Sequence, residues 1–142
     1  MDTSRFTGLE ILQMLIAGKL PPPSMAQTMG MSLTFAEEGF ARFEATAREI
    51  HINPMGGVHG GFACTVLDSA LGCAVQSALK AGLSYGTIDI NIKMMRPVPV
   101  NKKLIAEGTL INLSRSLGVS NGKLTDEEGK IYAYGSCTCK VY

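Results

Sequence analysis

The sequence predicts an α+β protein in which an antiparallel sheet of about six strands wraps around one long central helix, with a further helix at the N-terminus. Several segments alternate apolar and polar residues, which is typical of strands with one buried face. Two of them precede, and four follow, a run from Gly60 to Leu79 in which adjacent apolar pairs recur every four residues. That spacing predicts a helix with one broad apolar face, and consecutive strands around a single helix favour antiparallel pairing.

The N-terminal part of the chain contains a predicted helix over 6–20 and a predicted hairpin. Gly18 and the three prolines at 21–23 end the helix, because proline cannot continue it. Segments 31–35 and 40–49 alternate apolar and polar residues and are joined by a short acidic turn with a glycine. We therefore expect two antiparallel strands here.

The central helix follows a glycine-rich loop at 53–61 and ends before Gly82. His51 falls in the strand that enters this loop and carries no further signal. The four later strands are predicted at 87–95, 103–113, 116–125 and 130–141. An acidic turn at 126–129 joins the last two. One sheet on one helix leaves strand edges and a sheet face uncovered, which predicts an oligomer.

Size and composition narrow the possible functions. The 142 residues (15.1 kDa) suit a single domain, residues 1–142, in which 1–23 form an N-terminal helix and a proline-rich linker. A net charge of +1, an aromatic fraction of 6% and the absence of Trp argue against nucleic acid as a partner. No uncharged apolar run reaches the roughly 18 residues that cross a bilayer, and the polar start at 1–5 lacks a basic signal region. We therefore expect a cytoplasmic protein with no membrane partner.

The cysteines are expected to be buried, reduced thiols. Cys64 and Cys73 lie in the apolar helical run. Cys137 and Cys139 are two apart on a predicted strand and point the same way, which is a poor geometry for a disulfide between them. Since the chain has only two histidines, no zinc-ligand spacing occurs and no metal is expected.

The central helix opens with Gly60 and Gly61, which leave its first turn without side chains. Bare amides at a helix N-terminus carry partial positive charge and can stabilise a carbonyl oxygen or an oxyanion. The alternative is that these glycines only permit close packing of helix and sheet. His59, just before them, is a candidate base or ligand, but a histidine at a helix start more often fixes the loop by hydrogen bonds.

Asp68 is the unusual residue of the central helix, because aspartate is a poor helix former and is rarely buried without a partner. No Lys or Arg lies in the helix to pair with it. A carboxylate held in an apolar helix suits a general base. The alternative is an exposed Asp on the polar side, although that side carries almost no other charge. The chain has no G-x-S-x-G elbow, P-loop or dinucleotide motif.

One block of sequence carries a family resemblance. Residues 53–61 read Asn-Pro-Met-Gly-Gly-Val-His-Gly-Gly, and Asp68 follows on the long helix. This pattern resembles the hot-dog fold acyl-CoA thioesterases, in particular the branch typified by the phenylacetate-degradation thioesterase. The similarity covers roughly residues 30–142. It continues through 87–92, 96–98, 106–108 and 126–133.

The resemblance implies a role for each candidate residue. Asn53 and the backbone amide of Gly60 would bind the thioester carbonyl. Asp68 would act as general base, or alternatively as nucleophile, and Thr87 would help to hold the attacking water. Basic side chains would meet the CoA phosphates. The remaining candidate contacts to the substrate are His59, Gly61, Arg96 and Arg115. The implied substrate is an acyl-CoA with an aryl, hydroxyaryl or medium-chain acyl group, and no cofactor or metal is implied.

Two other functions are compatible with the same candidate residues. A hot-dog hydratase or dehydratase would use a histidine with a carboxylate, for which His59 and Asp68 are candidates. A non-catalytic acyl-CoA-binding protein is the other alternative.

Helix geometry adds an expectation about assembly. Gly60 and Asp68 are separated by about 12 Å along the helix axis, whereas a thioester carbonyl and its attacking water are about 3 Å apart. We therefore expect a homodimer with two interface sites, in which Gly60 of one chain meets Asp68 of the other. The resemblance further implies pairing of dimers into a homotetramer.

Overall fold

A computed structural model gives the fold and describes residues 2–142. The helices are α1 Gly8–Ile16, α2 Ser24–Thr28 and α3 Gly60–Gln76. The strands are β1 Met31–Glu37, β2 Phe40–Thr46, β3 Tyr85–Met94, β4 Lys103–Leu113, β5 Leu117–Asp126 and β6 Ile131–Val141. A short 3-10 turn spans Glu49–His51.

All six strands form one sheet in the order β1-β2-β4-β5-β6-β3, and every neighbouring pair is antiparallel. The predicted α+β class, with six strands around one long helix and a helix at the N-terminus, is therefore confirmed. Strand β3 follows α3 in the chain but lies at one edge of the sheet, and β1 lies at the other edge.

Helix α3 packs its apolar face against the concave sheet. Val66, Leu67 and Leu71 are fully buried, as the paired apolar spacing predicts. Two strand glycines let the helix approach closely, because a Cβ on Gly108 would collide with the Ala70 carbonyl and one on Gly118 with the Val75 side chain. The helix thus lies close against β4 and β5 in its C-terminal half.

Helix α3 ends at Gln76, earlier than the predicted end near Leu79. Ser77 follows as the C-cap residue, and its buried hydroxyl donates to the Ala74 carbonyl at 2.7 Å. The same oxygen accepts the Gly39 amide at 2.8 Å, so it ties the β1–β2 turn to the helix end.

The N-terminal helix is shorter than the predicted 6–20. A capping box fixes its start: the Thr7 hydroxyl accepts the Glu10 amide at 3.3 Å, and the Glu10 carboxylate accepts the Thr7 amide at 2.7 Å. Gly18 leaves the helical conformation with φ of +69°, two residues after the helix ends. Helix α2 was not predicted, because five residues after a proline run carry too little periodicity.

The placement of His51 in a strand is wrong. Strand β2 ends at Thr46, and His51 belongs to the 3-10 turn with a buried ring. Its Nδ1 accepts the Arg48 amide at 2.9 Å, so its Nε2 donates to the Thr28 carbonyl at 2.8 Å. The imidazole therefore joins the end of α2 to the segment that precedes α3.

The acidic turn between β5 and β6 is confirmed and rests on Asp126. This carboxylate is buried and accepts the Glu128 and Lys130 amides at 3.1 and 2.9 Å. Lys102 donates to it at 2.9 Å and the Tyr132 hydroxyl at 3.2 Å. The hydrogen bond from Lys102, with help from the other donors, holds the pKa of Asp126 well below its usual range.

All four thiols are free, as predicted, but only two are buried. The Cys137 and Cys139 sulfurs lie 3.7 Å apart on the same strand face. Cys64 and Cys73 are half-buried, because they lie on the flanks of α3 and not on its core face. Within residues 2–142, no helix combines the length and apolar character needed to span a membrane.

Candidate active site

Asp68 and Thr87 come together at the face of α3 that looks toward β3. The Thr87 hydroxyl donates a hydrogen bond to Asp68 Oδ1 at 2.9 Å. Asp68 is half-buried and not fully enclosed by apolar residues. None of the ion pairs formed within residues 2–142 includes it. The partner of this carboxylate is therefore a neutral hydroxyl, which donates to only one of its two oxygens.

A β-bulge in β3 directs Thr87 toward the helix. The register with β6 shifts between Thr87 and Asp89, so Thr87 lies opposite Cys139 while Ile90 lies opposite Cys137. Both cysteines face the core, and residues opposite each other share a sheet face. Uninterrupted alternation would have put Thr87 on the same face as Asp89. The bulge instead turns its hydroxyl to the carboxylate.

An apolar cavity of about 760 Å³ adjoins this pair. Helix α3 contributes one stripe of small and polar residues to its wall. This stripe consists of Asp68, Ser69, Gly72, Cys73 and Gln76. Asp68 is the first residue of the stripe and Gln76 the last, and Asp68 is the only charged side chain that lines the cavity.

Two other titratable groups on the cavity wall stay neutral near pH 7. Burial raises the pKa of the Cys73 thiol to about 12. Burial also raises the pKa of the Tyr85 phenol well above its usual range, and the neighbouring Cys73 adds to the effect. Neither group is poised as a base or a thiolate nucleophile. The chemistry of this cavity therefore centres on Asp68.

The N-terminal end of α3 opens into a different, smaller cleft of about 280 Å³. His59 caps the helix, because its Nδ1 accepts the Gly61 amide at 2.8 Å. The capping role expected for His59 is thereby confirmed, and it engages the Gly61 amide within the chain. The Gly60 amide is the first of the helix and has no acceptor within it. Met94 lies over Gly60, where a Cβ would come within 2.8 Å of the Met94 sulfur.

Asn53 is oriented by the turn that it closes. Its Oδ1 accepts hydrogen bonds from the backbone amides of Met55 and Gly57 at 2.9 and 3.2 Å. The backbone amide of Asn53 donates to the Gly57 carbonyl at 2.7 Å. These bonds use the carbonyl oxygen of the side chain and leave Nδ2 as a donor. An asparagine held in this way can present its NH₂ group to a carbonyl oxygen.

Arg96 and Arg115 lie at opposite ends of the molecule. Arg96 lines the cleft at Gly60 and donates to the Ile131 carbonyl at 2.6 Å, at the start of β6. Arg115 is exposed in the β4–β5 turn, whose Ser116 carbonyl accepts the Val141 amide at the end of β6. Ten residues of strand separate these ends by about 30 Å. One chain cannot place both guanidinium groups on the same phosphates.

The structure thus gathers five of the predicted site residues at two places, while Asn53, Gly61 and Arg115 line neither of them. Asp68 and Thr87 share the large cavity, whereas His59, Gly60 and Arg96 share the small cleft. The other residues of the cavity wall were not predicted from the sequence. The small residues of α3 could have indicated the cavity, because they interrupt the apolar face of the helix on the side where the cavity lies. The N-terminal wall carried no such signal.

Comparison with known proteins identifies the family. The family model described as Thioesterase superfamily matches residues 55–133. A protein of Halobacterium salinarum that is provisionally named an esterase is 32% identical over 111 residues, which are 75% of this chain and 72% of its own. The chain belongs to the thioesterase superfamily.

Two further relatives refine the assignment. This thioesterase is 30% identical to acyl-coenzyme A thioesterase 13 of Mus musculus, over 67% of this chain and 68% of the mouse protein. It is 26% identical to a Ralstonia eutropha protein that is provisionally described as a thioesterase related to phenylacetic acid degradation. That structure has a TM-score of 0.82 and the match covers 91% of this chain and 98% of that one. The resemblance to the hot-dog thioesterases and to their phenylacetate-degradation branch is confirmed, and the protein is a thioester hydrolase.

Proposed function

We propose that this protein hydrolyses acyl-CoA thioesters with an aryl or medium-chain acyl group to the free acid and CoA. The observation that carries the proposal is the hydrogen bond between Thr87 and Asp68 at the edge of a large apolar cavity. A carboxylate beside an apolar space suits a reaction in which water attacks the carbonyl of an apolar acyl group. All site residues lie between 53 and 115, within a single domain of residues 1–142.

In the proposed mechanism Asp68 acts as the general base. The Thr87 hydroxyl donates to Oδ1 and has lone pairs that can accept a hydrogen from the attacking water. Asp68 takes one proton from this water, and the new carbon–oxygen bond forms at the thioester carbon. When the carbon–sulfur bond breaks, the proton passes from Asp68 to the departing CoA thiolate. No step needs a metal or cofactor.

The carbonyl oxygen requires donors where negative charge develops. The free amide of Gly60 and the Nδ2 of Asn53 are the proposed donors. The partial positive charge at the N-terminus of α3 adds to their effect. In one chain Gly60 lies about 12 Å from Asp68 along the helix axis. The two halves of the site therefore have to come from different chains.

We propose a homodimer that joins the β3 edges of two chains in antiparallel fashion. The free edge of β3 carries unpaired backbone groups and exposed apolar side chains, with Ile88 57% and Met94 55% exposed. Antiparallel pairing brings the Gly60 cleft of one chain, which Met94 borders, toward the Asp68 region of the other. It also brings Arg96 of one chain toward the end of the sheet that carries Arg115 of the other. Both arginines can then meet the phosphates of one CoA, and two such dimers form the proposed homotetramer.

The four free thiols support a reducing compartment, and we propose that the enzyme acts in the cytoplasm. No observation favours a hydratase or dehydratase. His59 is engaged as the cap of α3, because its Nδ1 accepts the Gly61 amide.

A panel of benzoyl-, hexanoyl- and crotonoyl-CoA tests the proposed function. We expect release of free CoA thiol from benzoyl- or hexanoyl-CoA, followed with a thiol reagent. Loss of the enoyl absorbance of crotonoyl-CoA without thiol release would instead identify a hydratase. Binding of all three esters without turnover would identify an acyl-CoA-binding protein.

A further inference from the structure

The N-terminal segment from Leu12 to Ala26 forms an outer wall of the large cavity. Its contributions include Leu15, Pro22 and Met25, which face the stripe of α3 that begins at Asp68. None of the residues that this segment supplies to the wall is charged. The segment therefore encloses an apolar space whose inner side holds the candidate base.

Both ends of this segment are attached to α3 and its flanks. At one end, Gly8 packs so closely that a Cβ there would collide with the Gln76 carbonyl, and the Gly8 amide donates to the Leu79 carbonyl at 3.0 Å. At the other end, the Thr28 carbonyl accepts from His51. The His51 ring in turn lies 5.0 Å from the ring of Phe62 in the first turn of α3. The segment thus runs as a strap along the helix, from its C-terminal end to its N-terminal end.

The middle of the strap is stiff and offers few polar groups. Pro21, Pro22 and Pro23 have fixed φ angles and no backbone N–H. All three line the cavity. The wall therefore presents apolar surface without amide donors at this point, which suits a hydrocarbon and not a polar ligand.

The length of the cavity follows from the helix stripe. Asp68 and Gln76 are eight residues apart, which corresponds to about 12 Å along the axis. A carbon–carbon bond of about 1.5 Å advances an extended zigzag chain by about 1.25 Å, so this distance holds a chain of about ten carbons. The volume of about 760 Å³ lies in the range of ligand pockets and leaves room for a ring in place of a chain.

We infer that the strap formed by residues 12–26 binds the acyl group and sets its maximum length, selecting uncharged acyl chains of up to about ten carbons. This inference rests on the thioesterase activity proposed above. The carbonyl lies at Asp68 and Thr87, and the chain extends along α3 toward Gln76 beneath Leu15 and the prolines. A terminal carboxylate is rejected, because the cavity would bury it with no cation and with Asp68 as its only charged neighbour.

Variants at Leu15 test the strap, with Gln13 as the matched control. Leu15 lines the cavity, whereas Gln13 is an exposed residue of the same helix that does not. Thiol release is measured for butyryl-, octanoyl-, decanoyl- and dodecanoyl-CoA. Leu15→Trp should lower kcat/KM for decanoyl-CoA relative to butyryl-CoA by about 10- to 100-fold. Gln13→Trp should leave that ratio within twofold of the wild-type value.

The reverse substitution keeps the inference testable if Leu15→Trp does not fold. Leu15→Ala should raise kcat/KM for dodecanoyl-CoA relative to octanoyl-CoA by about tenfold. Glutaryl-CoA should react at least about 100-fold more slowly than pentanoyl-CoA, which has the same chain length without the charge. An unchanged chain-length profile in both Leu15 variants, or equal rates for glutaryl- and pentanoyl-CoA, would overturn the inference while leaving the hydrolase intact. No thiol release from any ester would instead overturn the proposed function on which it rests.

Discussion

Replacing Thr87 by Val removes the hydroxyl that contacts Asp68 and keeps the shape of the side chain. The lost bond is a 2.9 Å hydrogen bond to a carboxylate, and hydrogen bonds to charged groups contribute about 1.5–3 kcal/mol. If this energy is needed in the transition state, kcat falls by about 10- to 150-fold. The Thr87 side chain is exposed in the single chain, so the lower end applies unless a second chain covers it.

The assay is steady-state release of CoA thiol from the best ester of the panel, with Thr87→Ser as the control. Serine keeps the hydroxyl in reach of Asp68, so Thr87→Ser should retain most of the wild-type kcat. Thr87→Val should lower kcat more than it changes KM. A kcat for Thr87→Val within twofold of wild type would refute the water-holding role. An equal loss in the Ser and Val variants would show that the threonine methyl, and not the hydroxyl, is required.

Three further predictions concern other groups. Asp68→Asn should keep the fold, checked by circular dichroism, and lower kcat by about 10²–10⁴; activity within a few-fold of wild type would remove Asp68 as the base. Asn53→Ala should lower kcat by about 10²–10³ with a smaller change in KM, whereas an unchanged kcat with a raised KM would indicate ground-state binding. Asp126→Asn should lower the Tm at pH 7 by about 5 °C. Because the folded-state pKa of Asp126 is depressed, the stabilisation by its carboxylate is present above about pH 4 and is lost as the pH falls further. The Tm difference between variant and wild type should therefore shrink from pH 7 to pH 3. A Tm difference that stays constant over this range would contradict the role of Asp126.

Much of the fold could be predicted because local pattern and global packing agree. The paired apolar residues of α3 indicate its buried face directly, and β4 occupies the predicted 103–113 without a change of bounds. The features that escaped prediction depend on contacts distant in sequence. His51 is held by the Thr28 carbonyl, and no periodicity near residue 51 reports that bond.

The candidate site was only partly predictable for a related reason. Asp68 stands out in the sequence because a lone carboxylate in an apolar helix is unusual. Simple alternation puts Thr87 on the outer face with Asp89, and only the bulge in β3 turns it inward. In the sequence analysis the role of Thr87 rested on family resemblance, and the structure supplies a physical reason for its position. The outer wall of the cavity is formed by residues of the segment 12–26. The apolar character of this segment does not by itself reveal which part of the molecule it covers.

In the proposed dimer, each active site combines Asp68 of one chain with Gly60 and Asn53 of another. Asp68→Asn and Asn53→Ala proteins, each nearly inactive alone, can be unfolded together, refolded and assayed for thiol release. Random pairing makes half of the dimers mixed, and each mixed dimer has one intact site out of two. Shared sites should therefore restore about one quarter of the wild-type activity. If mass spectrometry shows that mixed dimers form and the activity stays at the level of the separate variants, the sites lie within single chains and the shared-site dimer is wrong.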